Sequence, residues 1–294
     1  MYETNYPNLK GCLIKDFTGQ LDYIQKKYTV ISMDEYLDFL SGSENIPKDS
    51  CILSFDDGLK DHYLNVFPIL KKRDLSACFY PITQPLVERV IPIVQKTHIL
   101  LAVMGSERLS NEINQQLKIL FPEIFKIYYI DDKVKKERKY RWDDTLTSNL
   151  KYNLAIMPFK YKTKIINEIF FRKFEDEKTI CSELYMNMDE IKEMAENNMI
   201  FGGHTHNHPM LSHLNDEEQL KEIAGSKKIL ETCLKMKMKS FSYPYGNFND
   251  STIRILKQEG FLCSTTTDTG INVGRNINKF ALLRLDTNDL IINQ

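Results

Sequence analysis

The chain has no cysteine pair in a C-x-x-C spacing, no apolar run of about 18 residues, and almost no net charge. Each absence removes a class of protein. Cys12, Cys51, Cys78, Cys181, Cys233 and Cys263 are scattered, several in strand-like apolar runs such as Cys51-Ile52-Leu53, so they read as reduced, buried thiols. Without a long apolar run there is no membrane-spanning helix, and residues 1–20 lack a secretory leader's basic start and apolar core. A cytoplasmic protein is expected. The net charge of -1 argues against general attraction to nucleic acid or membrane surfaces. Hydrophobic content of 42% with 27% charged residues is that of an ordinary globular protein, and 294 residues fit one core carrying an insertion.

Two segments carry chemistry. Ser54-Phe55-Asp56-Asp57-Gly58 ends a strand predicted over Cys51 to Phe55 with two carboxylates and a glycine. Successive side chains leave a strand on opposite faces, so a turn beginning at the aspartates is needed to bring both into one pocket, one to ligate a metal and one to handle a proton. A plain strand-ending turn uses the same residue types. Downstream, Gly202-Gly203-His204-Thr205-His206-Asn207-His208-Pro209 packs three of the six histidines into one irregular segment. His204 and His208, four residues apart on a bend, can converge on one ion. With Asp57 they make a two-histidine, one-carboxylate set that leaves positions open for water and substrate, suited to a hydrolytic metal, zinc above all. A third segment, Phe241-Ser242-Tyr243-Pro244-Tyr245-Gly246, reads as a strand ending in a turn.

In this order the three segments resemble the polysaccharide deacetylase family, also called NodB-homology or carbohydrate esterase 4. Ser54 to Gly58 is similar to its first motif, His204-Thr205-x-x-His208-Pro209 to its second, and Tyr243-Pro244-Tyr245-Gly246 to the end of its third. The resemblance covers roughly 17 to 83 and 184 to 286. It implies that Asp57, His204 and His208 hold a divalent metal, that Asp56 is the general base, and that the Tyr245 backbone N–H helps stabilise the oxyanion. The implied substrate is an acetylated sugar or glycan. The implied reaction is hydrolysis of its N-acetyl group; a deformylase, an O-deacetylase or a glycan-binding pseudoenzyme are the alternatives.

The chain also departs from the family pattern. Ser242 stands where many members carry an arginine that orients the catalytic aspartate, and Arg284 on a late strand, Ala281 to Asp286, is the candidate to supply that charge from another direction. No histidine follows His213 to act as the usual general acid, which leaves His62 as a candidate, although it reads more readily as a surface histidine of a helix. His206, outside the pattern, is expected to face solvent. The Tyr-His pair of the usual first strand is absent before Asn5, so a truncated N-terminus and an incomplete barrel are expected.

The pattern along the chain fits that fold. Phe17, Leu21 and Ile24 share a helical face, and Thr29 to Ser32 reads as a strand. Ser32 with Glu35, Asn187 with Glu190, and Asn215 with Glu218 have the spacing of helix-starting capping boxes. Strands are predicted over Ser76 to Ile82, Met199 to Gly203, Lys239 to Tyr243 and Phe261 to Thr266, and helices over Asn65 to Lys72 and from Asp250 to Gly260. Repeated strand–helix units with chemistry at strand ends indicate a parallel α/β barrel, which the resemblance refines to a distorted, incomplete one. Residues 1–83 and 184–294 would form it. Residues 84–183 are a mostly helical insertion, with Leu117, Leu120, Phe121 and Ile124 at helical spacing. Its basic run at Lys133, Lys135, Lys136, Arg138, Lys139 and Arg141 reads as a phosphate-binding strip or, with the neighbouring aspartates, as a solvated loop. Tyr128, Tyr129, Tyr140 and Trp142 read as sugar-stacking platforms or as the insertion's own core.

Overall fold

Strands too short to hold a sheet alone are linked in series in this structure, a computed structural model that describes residues 11–134 and 143–289. From the N-terminal side, α1 (Ile14–Lys27) leads to β1 (Thr29–Val30), α2 (Met33–Ser41), β2 (Ser50–Cys51) and β3 (Ser54–Asp57). A π-helical turn at His62–Val66 runs into α3 (Phe67–Lys72), then β4 (Cys78–Pro81) and α4 (Gln84–Glu88). Five helices follow: α5 (Ile93–Met104), α6 (Ser106–Leu120), α7 (Phe125–Tyr128), α8 (Thr145–Ile156) and α9 (Phe159–Phe171). After them come α10 (Glu177–Leu184), α11 (Met188–Glu196), β5 (Ile200–Phe201), α12 (Asp216–Leu234), β6 (Ser240–Ser242), α13 (Asp250–Gln258), β7 (Cys263–Thr269) and β8 (Leu282–Arg284).

Two compact units result, one built on Ile91–Lys178 and the other on Cys12–Val90 with the chain from Thr179 onward. In the second unit every pairing between strands is parallel: β1 with β2, β3 with β4, β4 with β5, β6 with β7 and β7 with β8. A parallel bridge between Gly203 and Phe241 carries the order from β5 to β6. This is a distorted, incomplete parallel (β/α) barrel, and side-chain alternation along its strands splits the core in two. Phe79 joins Phe67, Leu70, Phe201, Ile223 and Phe241 in one cluster, while its neighbours Cys78 and Tyr80 join Met33, Leu37, Leu40 and Cys263 in the other. Full burial of a side chain like that of Phe79 contributes about 1.5–3 kcal/mol.

The helical unit has its own core, including Ile99, Leu100, Leu109, Ile113, Leu117, Leu150, Ile165 and Ile169. Lys96 is buried within it at 1% side-chain exposure, and Glu177 and Asn167 accept from its ammonium at 2.8 and 2.7 Å. No helix among the described residues is long and apolar enough to cross a membrane.

All three capping boxes form. Ser32 Oγ accepts from the Glu35 N–H at 3.1 Å while Glu35 Oε2 accepts from the Ser32 N–H at 2.7 Å, which satisfies two donors that the first helical turn leaves unpaired.

Elsewhere the structure corrects the sequence. The strand predicted over Cys51 to Phe55 is two pieces, because residues 50–51 pair with β1 whereas residues 54–57 pair with β4. Both aspartates therefore lie within β3, opposite Tyr80 and Pro81, and not in a turn after it. The helix predicted from Asn65 begins earlier, as the π-helical turn. α6 ends at Leu120, so Phe121 and Ile124 continue the spacing beyond the helix. Cys12 is exposed, and Cys51 and Cys233 are half-buried, so of the six cysteines only Cys78, Cys181 and Cys263 are buried. Lys133 is exposed, whereas the rest of the basic run, with Tyr140 and Trp142, lies outside the described residues.

Gly202 shows how closely the parallel strands approach beside the histidine segment. A Cβ there would lie 2.5 Å from both the Ser240 carbonyl oxygen and Tyr80 Cε1. A backbone carbonyl in a paired strand has little room to yield, so Gly202→Ala is expected to destabilise the protein by about 1–3 kcal/mol. Urea titration should show a lower midpoint at unchanged slope.

Candidate active site

Asp57 closes β3 with φ at 73°, in the left-handed region where a non-glycine residue is strained. That twist breaks the extended alternation, so its carboxylate need not point away from that of Asp56. Gly58 follows at φ 78°, with a virtual Cβ only 2.7 Å from the Pro81 Cβ, a position where a side chain meets both backbone strain and β4.

The structure brings Asp57, His204 and His208 together. Their candidate ligand atoms all lie within 4.8 Å of one another. Asp57 Oδ1 is 3.3 Å from His204 Nε2 and 3.5 Å from His208 Nε2, and the two imidazole rings, 5.0 Å apart, meet edge to face. His204 Nδ1 lies 2.7 Å from the Ser242 carbonyl oxygen, which can only accept, so this contact fixes the proton on Nδ1 and leaves the Nε2 lone pair toward Asp57. His204 Nε2 is buried with no hydrogen-bond partner among the described residues. Two imidazole nitrogens and a carboxylate, one nitrogen sealed from water and unmatched, fit a divalent ion.

Beside this set, Arg284 forms a two-pronged pair with Asp56, Nη1 donating to Oδ1 at 3.0 Å and Nη2 to Oδ2 at 2.8 Å. Its Nε donates to the Thr266 carbonyl at 2.8 Å, which aims the fork. Ser242 Oγ adds a donor to Asp56 Oδ2 at 3.1 Å. Burial alone would raise the Asp56 carboxyl, but the Arg284 charge, then His204, outweighs it and holds the group below the usual carboxylate range. For His204 burial pushes down, but the Asp57 carboxylate facing its Nε2 and the charge of Asp56 raise it above the ordinary histidine value.

Tyr245 sits in the turn Pro244–Gly246 at φ 58° and ψ 12°, with its ring 4.7 Å from that of His208. Thr267 Oγ1 donates to its carbonyl at 3.3 Å. Gly246 is at φ 65°, and a Cβ there would run into Thr267, so the turn requires glycine.

Two histidines differ from expectation. His62 is half-buried between Phe55 and Phe79, at ring separations of 5.5 and 5.7 Å, because its turn is π-helical and folds against β3 and β4. Its Nδ1 is sealed from solvent with no hydrogen-bond partner among the described residues. Burial pushes its pKa down to about 4, so the ring is neutral at pH 7 and does not begin a cycle as an acid. His206 does not face open solvent: Nδ1 lies 2.9 Å from Thr83 Oγ1 and Nε2 3.1 Å from Glu88 Oε1. Sequence reasoning missed what Ser242 does in place of the family's arginine. Its hydroxyl reaches Asp56 while its carbonyl pins His204, and the only signal was its position two residues before Pro244.

A family model described as polysaccharide deacetylase matches residues 43–118 and 152–263, a span that contains Asp56, Asp57, His204, His208 and Tyr245 but not Arg284. The chain belongs to the polysaccharide deacetylase family. YxkH of Bacillus subtilis, which carries the same family description, is 29% identical over 108 residues, 37% of this chain and 38% of that protein. The fold is similar to that of a Streptococcus pyogenes deacetylase, PplD, solved in complex with acetate, at TM-score 0.58 and 20% identity over 95% of this chain and 85% of that one. It is also similar to IcaB from Ammonifex degensii, at TM-score 0.57 and 17% identity over 96% and 89%.

Zinc content is expected to fall to background in Asp57→Asn combined with His204→Ala, measured by elemental analysis of dialysed protein. Because a proton on His204 competes with a metal and its pKa is raised, zinc affinity should fall as pH drops from 8 to 6. A pH-independent affinity would contradict the ligand set.

Arg284→Met is expected to keep its zinc but lose kcat, by about 10²-fold if the base is misaligned or protonated. With the opposing charge gone, burial raises the Asp56 carboxyl, so the acid limb of the kcat/KM profile should move to higher pH.

Proposed function

We propose that the chain is a metal-dependent hydrolase that removes the N-acetyl group from a sugar of a glycan or glycan precursor. The observation that carries this reading is an Asp56 carboxylate held ionised by Arg284 directly beside the Asp57, His204 and His208 donors. Those three residues would hold a divalent ion, which the nitrogen-rich donor set matches best to zinc. Bound there, the ion would supply Lewis-acid polarisation of the acyl carbonyl and acidify the attacking water.

The protein's own groups do the rest. Asp56 accepts the proton of the attacking water, and Arg284 with Ser242 keeps its carboxylate ionised and aimed; Oδ2 takes both Arg284 Nη2 and Ser242 Oγ, but Oδ1 takes only Arg284 Nη1 and keeps a second lone pair for that proton. The Tyr245 backbone N–H donates to the carbonyl oxygen as negative charge develops. Since His62 is neutral at pH 7, the newly protonated Asp56 is the group that returns a proton to the leaving nitrogen. Acetate bound to the similar Streptococcus pyogenes deacetylase supports an acetyl group as the acyl portion. The scattered cysteines, with no C-x-x-C spacing, support a reducing, cytoplasmic setting.

Zinc-loaded protein is expected to release acetate from N-acetylglucosamine oligomers, to stop when the metal is chelated, and to recover on its return. Asp56→Asn should retain zinc and lose about 10²- to 10⁴-fold in turnover, read as acetate per enzyme per unit time. Acetate release unchanged in that variant would place the base elsewhere.

A further inference from the structure

His204 and His208 lie on one loop, and its backbone is costly. Thr205 at φ 64° and His208 at φ 58° are both left-handed, a conformation that costs a non-glycine residue about 1–2 kcal/mol. Such a backbone persists only where its surroundings over-determine it. Inside the loop, Thr205 Oγ1 accepts from the His208 N–H at 3.0 Å. From one side, the N–H groups of Thr83 and Gln84 donate to the carbonyls of Thr205 and His206 at 3.4 and 3.0 Å, and the His206 ring bridges Thr83 and Glu88. From the other side a single carboxylate does the holding. Glu222 Oε2 accepts from the N–H groups of His206 and Asn207 at 2.9 and 2.8 Å, and Oε1 accepts from Asn207 Nδ2 at 2.6 Å.

We propose that Glu222 is a positioning residue for the metal site, holding His206 and Asn207, two of the three residues between the histidine ligands, so that both imidazoles converge on Asp57. The proposal rests on the metal-site reading above. Glu222 touches no proposed ligand atom; it acts through the backbone between them. It is presented from a rigid element, one turn beyond Glu218 of the capping box that starts α12. Without it, two loop N–H groups and an amide turn to water, and the ordering of the loop must be met when the ion binds.

The test compares Glu222→Ala with Glu222→Gln. Glutamine can keep all three bonds: its amide oxygen accepts from both backbone N–H groups, and its NH₂ donates to Asn207 once that amide turns over. Zinc dissociation constants would be measured by chelator competition on the apo proteins, with apo melting temperature recorded alongside. Glu222→Ala should weaken zinc binding about 10- to 100-fold, as loss of a ligand's supporting partner typically does, with Glu222→Gln close to the unmodified protein. A merely structural role would lower the melting temperature and leave the affinity of the folded protein unmoved. Folded Glu222→Ala that holds zinc as tightly as the unmodified chain overturns the proposal, as does equal weakening by both substitutions. Should Glu222→Ala not fold, Asn207→Ala, which removes one of the three bonds, should weaken zinc in the same direction; an unchanged affinity there overturns it. Failure of the unmodified protein to bind zinc would overturn both this proposal and the metal-site reading, whereas zinc held alike by the unmodified and alanine proteins removes this proposal alone.

Discussion

Two carboxylates on adjacent residues repel each other in a partly buried cleft, and the structure around Asp56 and Asp57 gives each its own facing groups. Asp56 meets the guanidinium fork of Arg284, and Asp57 meets the imidazoles of His204 and His208. Ion pairs of this kind cost desolvation that only good geometry recovers, and here the hydrogen-bond count supplies it: the fork's two bonds, the Thr266 carbonyl behind it, and the Ser242 hydroxyl. The division also separates their chemistry. A carboxylate locked to arginine stays ionised, while one facing two imidazoles stands where the three could hold a metal together.

Parallel pairing is what makes the division possible. Strands running the same way end on the same side, so β3 delivers the aspartates, β5 leads into His204, β6 carries Ser242 and β8 carries Arg284 toward one cleft. Distant parts of the chain therefore meet without any one loop having to span the site. The close approaches at Gly58 and Gly202 show the same packing from below: side chains are excluded where strands and turns come within contact of one another.

What could be read in advance was local. The capping boxes at Ser32, Asn187 and Asn215 depend on side chains three residues apart, and the histidine spacing depends on four residues. What could not be read was set by partners far away. The Arg284 contact with Asp56 spans 228 residues; the resemblance raised Arg284 as a candidate for it, but its neighbours in the chain read equally as those of a surface arginine, and the two-pronged geometry was not legible. His62 looks helical and exposed because its neighbours in sequence are; only the packing of its π-helical turn against Phe55 and Phe79 buries it. His206 looked solvent-facing because Thr83 and Glu88, which hold its ring, lie more than a hundred residues earlier. The split of the first motif strand likewise follows from which neighbour each half meets, β1 or β4.

Ser242 joins the two halves of the site through one residue. Its side chain is bonded to the carboxylate of Asp56 and its main-chain oxygen to the imidazole of His204. A small sliding or tilting of β6 therefore carries Asp56 and His204 in the same direction, so motion of that strand displaces them together and changes their separation less than their position. Mechanically, the serine acts as a common mount: the separation of the two groups is set across a few covalent bonds, while the larger movements of the surrounding strands are shared by both.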